Sequence, residues 1–178
     1  MIKSEGRLKG QFFLEPIAGE EHQVAMLYAV LAQFVDPDSS WAEYWYKVRT
    51  LSGAEGIDSM AVPLKCDSLD PRDFKNLEFK WRFAPTDEYN HALILTNRIV
   101  AWDIDNGSKV NLVKDRFGWY GEWEMSQAPI AGRIKKILHT KGKTHQSDVE
   151  VVSLKELVSE SFDVEWYAAP PKSNRATG

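Results

Sequence analysis

The chain has 178 residues, 43% hydrophobic and 27% charged, with a formal net charge of −4. That is the size and balance of a globular domain that builds its own core without disulfides or a structural metal. The net negative charge excludes a protein that coats nucleic acid by bulk charge, and the lone Cys66 excludes an internal disulfide.

No run approaches the ~20 apolar residues of a membrane helix, and the first ten residues are polar, without a signal-peptide core. A cytoplasmic protein with no membrane partner is expected.

Residues 1–18 read as an N-terminal arm or strand. Over 19–35, Val24, Leu27, Tyr28, Leu31 and Val35 recur at the 3.6-residue period, which predicts an amphipathic helix. Asp36-Pro37-Asp38 stops it. Ser39 or Ser40 can cap a short second helix over 41–48. Residues 50–52 read as a short strand that turns at 52–54. Residues 56–64 alternate, with Asp58, Met60, Val62 and Leu64 on one face, and Pro63 marks a strand end or an edge.

The clearest strand is 77–83. Leu77, Phe79, Trp81 and Phe83 form one face; Glu78, Lys80 and Arg82 form the other. Residues 86–97 fit either a helix capped at Thr86 or a strand turning at Thr96-Asn97. The apolar run 99–104 predicts a strand buried on both faces. Asp105-Asn106-Gly107-Ser108 signals a hairpin turn, with 109–113 as the return strand. A helix is expected near 130–138, a strand at 149–152, a helix opened by the capping box at 153–156, and a disordered tail from Pro170.

Three charged positions carry the chemistry. Glu78 and Lys80 are two apart on one strand, so their side chains leave the same face. Asp58 opens the strand before it and approaches Glu78 if the two strands pair. Two neighbouring carboxylates bind a hard cation such as Mg²⁺ or Mn²⁺. A lysine beside them can orient water and neutralise charge developing on a phosphate. The carbonyl of Phe79 can complete the coordination. Read alone, Glu78 and Lys80 also fit the solvated face of an amphipathic strand, and Asp58 fits a turn.

Gly56-Ile57-Asp58 followed by Glu78-Phe79-Lys80 resembles the signature of the restriction-endonuclease-like, or PD-(D/E)xK, nucleases. The resemblance covers about residues 19–105. It implies an α+β fold with an αβββαβ core over 19–105, followed by a small C-terminal α/β extension over 106–169 and a tail over 170–178. It implies a metal-dependent nuclease acting on DNA ahead of RNA, working in a restriction, repair or defence system as a homodimer or within a larger assembly. An acid on the first helix matches Glu20 or Glu21, and helical geometry places Glu20 nearer the middle of the apolar face. Asn90 and His91 would sit on the second core helix near the phosphate. The stretch 132–146 carries Arg133, Lys135 and Lys136 among its five lysines and arginines and no acid, and can contact phosphates.

Two other readings compete. One is a non-catalytic module on the same fold that binds nucleic acid or protein. The other is a β-rich, pleckstrin-homology-like interaction domain in which 92–103 forms a hairpin.

Overall fold

The computed structural model describes residues 8, 12–52, 58–66, 70–105, 111–162 and 164–168. The expected turn tips at 53–54 and 106–108, the Gly56-Ile57 lead-in and the tail from Pro170 lie outside the described residues.

The elements run in chain order as follows. Strand β1 (Phe12–Leu14) precedes helix α1 (Glu21–Leu31), and strands β2 (Tyr46–Leu51), β3 (Ser59–Pro63), β4 (Lys75–Phe83), β5 (Glu88–Tyr89) and β6 (Arg98–Ile104) follow. Then come β7 (Leu112–Asp115), β8 (Trp119–Gln127), β9 (Ala131–His139), β10 (Val149–Ser153), helix α2 (Leu154–Ser161) and β11 (Glu165–Tyr167). Nine strands form one mixed sheet in the order β2-β3-β4-β6-β10-β9-β8-β7-β5, and β1 pairs with β11 in a separate two-stranded sheet.

This overturns the expected fold class. The described chain is mostly β, with two α-helices, and it is not a small αβββαβ core with an α/β extension. The second core helix is absent: residues 84–97 carry only the two-residue β5 and a 3-10 turn at Leu93–Leu95. The hairpin considered for 92–103 does not form either. Residues 112–153 enter the sheet itself, and β10 lies between β6 and β9. The short helix expected over 41–48 is a 3-10 turn at Ala42–Tyr44 that runs directly into β2.

The helix expected near 130–138 is the strand β9, and its bulge explains the misreading. Tyr120 pairs with Leu138 and Glu122 with Lys135, so Gly121 alone faces both Lys136 and Ile137. The extra residue, Lys136, has φ +50°. A bulge shifts the alternation by one. Buried Ile134 and Ile137 therefore stand three apart on the same side of the sheet. In sequence, that spacing looks helical.

The two sheet faces bury different things. On one, Val24, Tyr28 and Leu31 of α1 and Leu154, Leu157 and Val158 of α2 pack on Leu77 and Phe79 of β4 and on Val100 and Trp102 of β6. On the other, Phe83, Ile99, Ala101, Trp123, Ile134, Ile137 and Val151 pack together with Tyr89 and Leu93 from the 84–97 crossover. β6 is buried on both sides, as its apolar run requires.

The sheet is strongly curled. Strands β4 and β8 are four places apart, about 19 Å in a flat sheet, yet the Trp123 and Phe83 rings lie 4.7 Å apart. Two bulges between β8 and β9 supply bending. Tyr89, on the far edge strand, returns to within 5.7 Å of Phe83. The crossover is thereby folded back over the end of β4.

Candidate metal centre

The ladder between β3 and β4 ends at the pair Ser59–Leu77. From Glu78 onward, β4 keeps β6 on one side and loses β3 on the other. Asp58 sits at this fork. Its Oδ2 accepts a hydrogen bond from the Phe79 N–H at 2.7 Å, replacing the ladder bond that β3 no longer supplies. That single contact fixes the Asp58 carboxylate beside the next two residues of β4.

Glu78 and Lys80 project from β4 onto the face shared with Ile99 and Ala101. Glu78 is only 3% exposed. Its Oε1 lies 2.9 Å from Lys80 Nζ and its Oε2 lies 2.5 Å from His91 Nδ1. Lys80 and His91 thus each take one oxygen of the carboxylate. The two Glu78 oxygens are buried, one facing Lys80 and the other His91. Lys80 Nζ also reaches Glu21 Oε2 at 3.4 Å.

The charges act on one another. Burial pushes the Glu78 carboxyl above the usual carboxylate range and Asp58 adds to this, while Lys80 and His91 oppose it. Burial alone would lower the Lys80 ammonium, but Glu78, Glu21 and Asp58 outweigh it and hold the lysine above its ordinary value. Charge wins at Lys80 because three carboxylates act on it, whereas at Glu78 the Asp58 carboxylate works in the same direction as burial.

Ligand atoms of Asp58, Glu78 and His91 all lie within 4.8 Å of one another. The Asp58 carboxylate and the buried Glu78 carboxylate fit a hard divalent cation, for which such oxygens are the natural donors. Beside the fork, a cleft of about 400 Å³ is lined by Glu21, His22, Met26, Leu51, Asp58 and Phe79.

The structure sorts the expected site residues. Asp58, Glu78, Lys80 and the Phe79 backbone come together. Of the two helix acids, Glu21 reaches the site, and Glu20 does not take the place expected of it. Glu20 is the N-cap residue of α1, ahead of the helical turn, and its carboxylate pairs with His22 at 3.3 Å. His91 joins the cluster from the crossover and not from a second core helix; its neighbour Asn90 is exposed.

Arg133, Lys135 and Lys136 are not part of the cluster. The row Leu77, Arg98, Glu150 and Arg133 crosses the sheet on the helix-covered face, opposite to Glu78 and Ile99. Lys135 pairs with Glu124 at 2.6 Å and Lys136 with Glu122 at 2.8 Å, both on β8. The absence of acids within 132–146 is made up by the neighbouring strand.

Asp115 escaped the sequence reading. It is buried and accepts hydrogen bonds from the backbone N–H groups of Leu93, Phe117 and Trp119 at 2.8, 2.8 and 2.9 Å. It ties the crossover, two residues beyond His91, to the β7–β8 turn. Asp115-Arg116-Phe117-Gly118 has the look of a turn, with aspartate first and glycine last. That is the signal that would have found it.

Among the described residues, no helix is long and apolar enough to cross a membrane. No protein-family model matches the chain, and neither a curated protein nor a solved structure matches it.

Proposed function

We propose that the chain is a metal-dependent nuclease that hydrolyses phosphodiester bonds, with DNA ahead of RNA as substrate. The observation that carries this reading is the meeting of Asp58, Glu78 and Lys80 at the β3–β4 fork, with the Glu78 carboxylate buried. The likeness to PD-(D/E)xK nucleases rests on these site residues and not on the surrounding fold.

Asp58 and Glu78, with the Phe79 carbonyl, would hold Mg²⁺ or Mn²⁺. Bound there, the cation supplies positive charge that polarises a phosphoryl oxygen. Lys80 holds its ammonium beside the same carboxylates, where it can orient a water for attack and meet charge building on the phosphate. Glu21 steadies that ammonium from the start of α1. The Phe79 N–H keeps Asp58 turned toward the site.

The lone thiol agrees with a reducing compartment, and we read the activity as cytoplasmic. The test is cleavage of single- and double-stranded DNA and of RNA with Mg²⁺ or Mn²⁺. Asp58→Ala, Glu78→Ala and Lys80→Ala are each expected to abolish cleavage, with circular dichroism showing the fold retained. Cleavage undiminished in all three variants, or no cleavage by the wild type with either cation, overturns the reading.

A further inference from the structure

We infer that His91 is a third protein ligand of the cation held by Asp58 and Glu78, and that it makes this site prefer Mn²⁺ to Mg²⁺. The inference rests on the metal-site reading above and deepens it by naming what sets the choice of metal.

Three observations converge on His91. Its Nδ1 approaches Glu78 Oε2 at 2.5 Å. A ring nitrogen falls inside the same 4.8 Å group as the carboxylate oxygens of Asp58 and Glu78. That Nδ1 is also buried, as are both Glu78 oxygens. Glu78 Oε2 and His91 Nδ1 therefore face one another beside Asp58, while Oε1 faces Lys80. A cation coordinated by Oε2 and Nδ1 would replace their direct contact, with an Asp58 oxygen within reach as a third donor.

The imidazole is braced. On one side, the buried Tyr89 ring packs against Phe83 at 5.7 Å. On the other, the Leu93 N–H is tied to Asp115 at 2.8 Å. His91 lies between these anchors, two residues from each. A position held in this way suits a ligand, because little ordering remains to be done when the cation binds.

The donor type decides the metal. Mg²⁺ demands oxygen ligands in near-ideal octahedral geometry and gives up its waters reluctantly. Imidazole nitrogen suits the first-row transition metals. An Asp-Glu-His set therefore shifts the balance toward Mn²⁺, whereas two carboxylates and a carbonyl alone would serve both cations.

The test uses the full chain, with Mn²⁺ alone as the probe and Mg²⁺ as the competitor. Loss of the free Mn²⁺ electron paramagnetic resonance signal gives the affinity, and electron spin echo modulation reports nitrogen on the bound ion. One Mn²⁺ per chain with ¹⁴N coupling is expected. His91→Gln should erase the coupling and weaken Mn²⁺ binding by roughly tenfold or more, while Mg²⁺ binding changes by less than about threefold. His22→Gln, at the rim of the cleft, should keep the coupling. If His91→Gln does not fold, coupling that persists in His22→Gln protein supports the assignment, and its loss there refutes it.

Two failures are distinguishable. Mn²⁺ binding that needs Asp58 and Glu78 but shows no ¹⁴N coupling, or an equal loss of both cations in His91→Gln, overturns the role of His91 and leaves the metal site standing. Mn²⁺ binding unchanged in both Asp58→Asn and Glu78→Gln overturns the metal site itself, and the inference falls with it.

Discussion

Adding a single methyl group at Gly132 should cost more stability than most single substitutions in this chain. A Cβ built there would lie 2.1 Å from Trp123 Cη2, 2.6 Å from Trp123 Cζ3 and 2.7 Å from the Glu124 carbonyl oxygen. Carbon atoms pack best at about 3.5–4.0 Å, so the methyl overlaps the indole by roughly 1.4 Å. The ring has little freedom to retreat. It is 8% exposed and packs against the Phe83 ring at a centroid distance of 4.7 Å. The Glu124 oxygen belongs to the paired backbone of β8. With both neighbours held, Gly132→Ala is expected to destabilise by about 2–3 kcal/mol, or ~5–10 °C in Tm for a chain of this size. Urea unfolding followed by tryptophan fluorescence measures it, with an unchanged m-value as the check on two-state behaviour. Trp123→Phe removes the outer ring that carries both clashing atoms. The double variant should therefore lose less than the sum of the two singles, by about 1 kcal/mol. A Gly132→Ala loss below about 0.5 kcal/mol, or strict additivity with Trp123→Phe, would refute the wedge.

Other substitutions test other features. Because burial raises the Glu78 carboxyl, the folded chain holds that proton more tightly than the unfolded chain does. The favourable contribution is then complete below the ordinary glutamate range and fades as pH rises through the folded value. In chelator, wild type should lose stability relative to Glu78→Gln over that window; a wild type that instead gains stability relative to the variant as pH rises contradicts this. Lys136 pays for its left-handed backbone at the bulge, so Lys136→Gly should stabilise by about 0.5–1 kcal/mol. The exposed pair with Glu122 that it loses contributes little, and a net loss in urea denaturation would refute the strain. Ser153 caps α2 by accepting the Glu156 N–H at 3.3 Å. Ser153→Ala should cost about 1 kcal/mol, and thermal melting should register it; no shift would mean that the cap is idle.

How far the sequence could be read depends on what each residue pattern encodes. Strand β4 was legible because its alternation holds through Trp81, although Phe83, expected on the face of Leu77 and Phe79, packs in the opposite cluster; β6 was legible because a strand buried on both faces needs an unbroken apolar run. The nearness of Asp58 to Glu78 followed from two consecutive strands pairing as neighbours. The choice between Glu20 and Glu21 was not legible, because it depends on which residue starts α1. A shift of one residue at a helix start turns the side chain by about 100°. Strand β9 was misread because a bulge mimics the helical period. The 84–97 crossover resisted reading for a different reason. Its shape is held by Asp115 and by the Phe83–Tyr89 contact, both tertiary, and local propensity says nothing of either. His91 was noticed as a residue near phosphate, but its approach to Glu78 depends on that same crossover.

The placement of β10 between β6 and β9 bears on how the polypeptide emerges from the ribosome. Synthesis delivers β2, β3, β4 and β6 first, and these already pair in sequence order. One flank of β6, a strand with Ile, Val, Ala or Trp at five of its seven positions, then stays open until residues 149–153 have been translated. A nascent chain halted before that point presents an apolar edge, free to pair with the same edge on another halted chain. The last segment of the sheet to be made is the one that seals its middle.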